Sequence, residues 1–134
     1  MLIRAFAFIA ALMLANTAIW AHHAFAAEFD VKKPLKLRGK VTRMEWINPH
    51  AWIHVDVKNE AGQSEEWMVE CGAPNGLLRR GFTKASLPSG TEILVTGWRA
   101  KDDSNRLNGS EITLPDGKQL FLGSSNNDAP GVAK

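Results

Sequence analysis

Apolar and polar residues alternate along most of the chain between residues 35 and 122, and this period of two limits the fold more than any other feature. Successive side chains of a strand point to opposite faces, so Leu35 and Val41 would share one face of a first strand. The apolar phase then shifts to Met44 and Trp46, which indicates a β-bulge within a long strand. The alternation therefore predicts an all-β domain.

Four more strands and one short helix are predicted after this first strand. The strands are expected near residues 51–57, 65–71, 92–100 and 107–114, with a hairpin arm near residues 119–122. The segment Pro74–Gly81 is typical of a short helix, with Gly81 at the left-handed position after it. This order matches a small five-stranded barrel of the oligonucleotide/oligosaccharide-binding (OB) type, with the helix between strands three and four. A small β-sandwich is the alternative.

Residues 1–21 have the pattern of a cleavable signal peptide. Arg4 supplies a positive charge, an apolar run follows over residues 5–15, and the segment ends in the small residue Ala21. A retained membrane anchor is less favoured, because an uninterrupted span needs roughly 20 apolar residues. The protein is therefore expected to be periplasmic or secreted, with no membrane span after cleavage.

The rest of the chain divides into three parts. Residues 22–34 form a predicted N-terminal arm, residues 35–123 the OB-like barrel, and residues 124–134 a small, polar tail that is expected to be disordered. The full chain has 16 basic and 14 acidic side chains, a balance too even to predict nucleic acid as a partner. The single cysteine, Cys71, cannot form an internal disulfide and is expected to be a buried thiol on a strand.

The chain has four histidines, and two of them, His22 and His23, stand next to the predicted cleavage site. Cleavage after Ala21 would make His22 the N-terminus, where its amine and its ring Nδ1 could close a chelate on one metal ion. His23 or His50 could add a ligand, and nitrogen-rich sites favour copper among the divalent first-row metals. His50 and His54 cannot share an ion unless Pro49-His50 lies on a turn off the strand, because four residues of strand span about 13 Å. Ordinary surface or hydrogen-bonding histidines are the alternative.

The position of the cleavage site decides whether this metal site can exist. Ala24-Phe25-Ala26 is a second small-x-small end, and a cut after Ala26 would remove His22 and His23. The cut after Ala21 is favoured, because the apolar run ends nearer to it.

Trp52 is the first candidate for binding a ligand other than a metal. It is expected to share the outward face of the second strand with His54 and Asp56, where an exposed tryptophan could stack on a flat ligand. The alternative is that the N-terminal arm covers Trp52 through Phe25 or Phe29.

The predicted helix supplies the polar candidates Asn75, Arg79 and Arg80. An arginine pair suits a phosphate or a carboxylate. The alternative is a structural role, in which the arginines bind helix carbonyls or acidic residues of the same chain, among them Glu65, Glu66 and Glu70.

Several sequence blocks resemble a family of exported bacterial proteins of unknown function, domain-of-unknown-function family 6152. The blocks cover almost the whole predicted mature chain and are His22–Asp30, Gly39–Thr42, Glu45–Trp52, Pro74–Gly81, Gly97–Lys101 and Leu114–Gly117. The resemblance implies an exported, single-domain protein whose paired histidines directly follow the signal peptide. It implies no established activity.

The function expected from the sequence is that of a small exported binding protein, which holds copper or another metal through His22, His23 and possibly His50. The alternative is a metal-free domain that binds a small ligand or a periplasmic protein through the Trp52 face and the segment Pro74–Gly81. The sequence has no nucleophile elbow, phosphate loop or zinc-protease helix, so an enzymatic function is not expected.

Overall fold

A computed structural model describes residues 25–123, which form one β-sheet with little helix. A helical turn at residues 25–28 precedes the sheet. One short α-helix, α1, spans Pro74–Arg79, and a turn of 3₁₀-helix spans Lys84–Ser86. The strands of this part of the chain are β1 (Phe29–Glu45), β2 (Trp52–Lys58), β3 (Ser64–Glu70), β4 (Glu92–Ala100), β5 (Arg106–Thr113) and β6 (Gln119–Phe121).

The sheet closes into a ring. Its strand order is β3-β2-β1-β4-β5-β6 with antiparallel neighbours, and a parallel pairing of β3 with β5 joins the two ends. The five strands β1 to β5 form the ring, while β6 pairs with the outer edge of β5 as the hairpin arm that the sequence predicts. The predicted all-β class is confirmed, and α1 lies between β3 and β4 as expected.

β1 is long enough to pair with two neighbours in succession. Its first part pairs with β4 and its second part with β2, and the register shifts between Val41 and Arg43, where the sequence predicts a bulge. Both neighbours pair with Gly39, and an added Cβ there would overlap the carbonyl of Asp56. The strand begins at Phe29, so residues 29–34 of the predicted arm belong to β1.

The interior of the ring contains the alternating apolar residues. Fully buried side chains include Ile53 and Val55 of β2 and Val95 of β4. Phe82, which follows α1, is 1% exposed and stacks on Trp46 with ring centroids 6.3 Å apart. Cys71 is a free, fully buried thiol, as expected, and burial raises its pKa far above the usual value.

The predicted signal peptide and the predicted tail lie outside the described residues. Between residues 25 and 123, no helix has the length and apolar character that a membrane crossing requires.

Candidate functional site

His50 lies in the loop between β1 and β2, directly after the cis peptide bond Asn48–Pro49. Its ring Nδ1 is in close contact with Oε1 of Glu70, and one third of its side chain remains exposed. The hydrogen bond to Glu70 raises the pKa of His50 above the usual value, against the opposing effect of burial. The negative charges of Glu70 and Glu28 act in the same direction as the hydrogen bond.

Glu70 is held on its other side by Asn108. The amide Nδ2 of Asn108 donates a hydrogen bond of 3.1 Å to Oε2 of Glu70. The two residues are direct partners in the parallel pairing of β3 with β5, and both are buried. Because neighbouring Val69 and Cys71 point into the core, Glu70 points to the outer face of the sheet. A buried carboxylate on that face is costly unless it is hydrogen-bonded, and both of its oxygens are.

The N-terminal segment packs next to this carboxylate. Phe25 stacks on Phe29 at 5.8 Å and meets Trp98 edge-on at 6.0 Å, and these rings form a small apolar cluster with Ala100. Trp98 is the β4 partner of Asn108, so the cluster adjoins the Glu70–Asn108 pair.

Polar contacts hold the same segment against the hairpin between β4 and β5. The backbone N–H of Lys101 donates to the carbonyl of Glu28 at 2.9 Å, and the guanidinium of Arg106 lies 3.3 Å from the carboxylate of Glu28. The Arg106 guanidinium also lies over the ring of Phe29, 5.9 Å from its centroid. The arm is therefore a packed part of the domain from Phe25 onward.

His22 and His23 precede Phe25 and lie outside the described residues. Within residues 25–123 no group of three or more His, Cys, Asp or Glu side chains is arranged to hold a metal ion. Of the three predicted metal ligands, the structure therefore places only His50.

Trp52 is half-buried on the outer face of β2, where its direct partners are Glu45 of β1 and Glu70 of β3. It is therefore a neighbour of the Glu70 site. Phe25 contacts Phe29 and Trp98, and no ring contact joins Phe25 or Phe29 to Trp52 within the described chain.

His54 lies on the outer face of β2, yet its side chain is only 2% exposed. Its Nε2 lies 3.0 Å from Oε1 of Glu45, and its Nδ1 lies 2.6 Å from Oε1 of Glu66 and 3.2 Å from Nη2 of Arg43. These charged side chains cover the ring from β1 and β3. The hydrogen bond from Arg43 lowers the pKa of Glu45, and the charge of His54 adds to this effect. Sequence reasoning missed this cluster because it depends on strand register.

The polar candidates on α1 lie apart from these contacts. Asn75, Arg79 and Arg80 are exposed, and neither arginine forms an ion pair within the described residues. Glu70, one of the acidic partners considered for them, pairs with His50 instead.

The fold and the site define a small all-β domain that carries a buried carboxylate–histidine pair beside its N-terminal arm. The chain belongs to the family of unknown function DUF6152, whose model matches residues 10–109. The match confirms the resemblance seen in the sequence, and His22, His23 and His50 all fall inside it. No curated protein matches the chain.

Proposed function

We propose that the protein is a small exported binding module that holds a copper ion through His22, His23 and His50. In the mature protein, the N-terminal amine and the ring of His22 would chelate the ion, and His23 and His50 would complete a nitrogen-rich site. Such a ligand set favours copper over the other divalent first-row metals. The observation that carries the proposal is the position of the arm, which packs beside the Glu70–Asn108 pair that contacts His50.

A chain of contacts joins the arm to His50. Phe25 packs on Trp98, Trp98 pairs with Asn108, and Asn108 donates to Glu70, whose other oxygen contacts His50. The influence of the Glu28 charge on His50 agrees with this proximity. Two residues lie between His22 and Phe25, and the three peptide steps that join them can reach about 10 Å when extended. The proposal requires that this reach bring the histidine pair to His50.

The packing of Phe25 also bears on the position of the signal cleavage. Phe25 is 9% exposed and belongs to the cluster with Phe29 and Trp98. A cut after Ala26 would remove the Phe25 ring, and Phe29 and Trp98 would lose its packing. A cut after Ala21 keeps both the cluster and the histidine pair, so the packing favours it.

The cleavage site gives the first prediction. When the full chain is expressed in a bacterial host and recovered from the periplasm, intact-mass spectrometry is expected to find a mature protein that starts at His22. A mature protein that starts at Ala27 would remove His22 and His23 and would contradict the proposed site. Recovery of the unprocessed chain from the membrane fraction would contradict the export itself.

The second prediction tests the proposed function directly. The mature protein, freed of metal by a chelator, is expected to bind one equivalent of Cu²⁺ in a calorimetric titration near neutral pH. The terminal amine has a pKa of about 7.7–8.0, so its proton is displaced readily under these conditions. A titration with Zn²⁺ is the control and should give weaker binding. The absence of any copper binding would end the proposal.

A second candidate function rests on the surface around α1. Leu78 of α1 is 48% exposed, and Ile47 of the loop between β1 and β2 is 50% exposed. Arg79 and Arg80 beside Leu78 are exposed and form no ion pair within the described residues. Together with the Trp52 face, this surface would suit a periplasmic protein partner that carries apolar and acidic groups. Such an interaction would be insensitive to chelator, which distinguishes it from the copper module.

A further inference from the structure

We propose that Glu70 and Asn108 position His50, so that Nε2 of His50 is the atom that binds the metal. This inference rests on the proposed function and identifies a positioning pair that the histidine pattern alone does not reveal. Glu70 and Asn108 lie on strands that meet only where the ring closes, and they are adjacent to the loop that carries His50.

The geometry determines which nitrogen of His50 is available. Nδ1 is in contact with a carboxylate oxygen of Glu70, and a carboxylate accepts hydrogen bonds, so Nδ1 carries the proton and donates it. In the neutral ring the lone pair then lies on Nε2. A metal-binding histidine commonly donates its other ring N–H to a carboxylate, which fixes the tautomer and the orientation of the ring. His50 has this arrangement, and its side chain is exposed enough for a ligand to reach it.

Glu70 is suited to orient His50 rather than to bind the ion itself. Both of its oxygens are occupied, one by His50 and the other by the amide of Asn108. Asn108 is fully buried near the start of β5, and the carboxylate cannot rotate without losing its hydrogen bond to this residue. The Glu70 charge would also offset part of the positive charge of a copper ion bound at Nε2.

Replacing Glu70 with glutamine provides the sharpest test, because the two side chains have the same shape. The glutamine carbonyl can still accept the hydrogen bond of Asn108, but its amide then faces Nδ1 of His50 and donates to it. The proton of the neutral ring would therefore move to Nε2, which blocks the proposed metal-binding atom. We expect the affinity for Cu²⁺ to fall about 10- to 100-fold in Glu70→Gln.

A second measurement separates positioning from a general structural effect. In metal-free protein at alkaline pH, ¹⁵N NMR of the ring nitrogens should find the Nδ1–H tautomer of His50 in the wild type and the Nε2–H tautomer in Glu70→Gln. The matched control is Glu66→Gln. Glu66 lies on the same strand as Glu70, but its carboxylate contacts His54 instead of His50. This control should leave both the tautomer of His50 and the affinity for copper unchanged.

The possible outcomes separate this inference from the proposed function. If the wild type binds copper, and Glu70→Gln binds it equally well with an unchanged tautomer, the positioning role is wrong and the copper module stands. If the wild type binds no copper, both fail. Should Glu70→Gln not fold, Asn108→Ser loosens Glu70 without removing the carboxylate. It should lower the affinity about tenfold, and an unchanged affinity would overturn the inference.

Discussion

Replacing His22 and His23 together with alanine is expected to lower the affinity of the mature protein for Cu²⁺ by about a hundredfold or more, which corresponds to about 2.7 kcal/mol. The double variant keeps the N-terminal amine but removes the ring that closes the chelate with it. It also removes the adjacent imidazole. The ion would then retain His50 and the amine, which are separated by a length of chain that must be ordered on binding.

The single variants should differ in a way that tests the chelate. His22→Ala removes the ring that forms the chelate together with the amine of the same residue. It should therefore lower the copper affinity more than His23→Ala does. The matched control is Val31→Ala/Lys32→Ala, which alters two exposed residues of the same segment and should bind copper like the wild type. Equal dissociation constants for the wild type and the double histidine variant would show that the terminal pair is not part of the site.

The fold of the variants should remain intact, because described residues from Phe25 onward hold the arm against the domain. Phe25 and Phe29 are buried, and Glu28 contacts Lys101 and Arg106. Thermal unfolding of the metal-free double variant should therefore match that of the metal-free wild type. This comparison must be made without metal, because a bound ion stabilises the folded state by mass action.

Local sequence patterns predict much of the fold. The alternation of Ile53, Val55 and Val57 predicts the buried face of β2, and the phase shift before Met44 predicts the register shift in β1. These features depend on neighbours along one strand, and the period of two records them directly.

The candidate site is harder to predict, because it depends on pairings that are remote in sequence. Glu70 meets Asn108 only because β3 and β5 run parallel where the ring closes. Nothing in the local sequence of either strand specifies that partner or its register. For the same reason the alternation places His54 on the outer face but cannot reveal that residues of β1 and β3 bury it there. The histidine pattern thus indicates ligands, whereas the groups that orient them emerge only from the closed sheet.

The second large effect is expected in the core, where Phe82→Ala should lower the free energy of unfolding by about 3–5 kcal/mol. Phe82 is 1% exposed and is among the largest fully buried side chains of the described residues. It follows α1, and its backbone N–H donates to the carbonyl of Leu77 at 3.0 Å. Removing the ring would leave a cavity that the closed sheet can fill only partly.

The stacking partner of Phe82 connects this cavity to the loop of His50. The Phe82 ring stacks on Trp46, which begins the segment between β1 and β2 that carries His50. Without Phe82 the Trp46 ring loses its packing surface, so the loop should become less fixed and copper affinity should fall as well. A core residue that supports only the sheet should not link stability to copper affinity in this way. Val95 is fully buried, and Val95→Ala should reduce stability without a comparable loss of copper affinity.

Urea unfolding of the metal-free proteins measures the effect on stability, and the midpoint should shift while the slope stays constant. Phe121→Ala is the matched control, since Phe121 is 61% exposed on β6 and its loss should change stability by no more than about 0.5 kcal/mol. If Phe82→Ala is too unstable to purify, Phe82→Leu fills part of the cavity and should cost about 1–2 kcal/mol. Equal stability losses for the Phe82 and Phe121 variants would contradict the placement of Phe82 in the core, and with it the support that Phe82 gives to the His50 loop through Trp46.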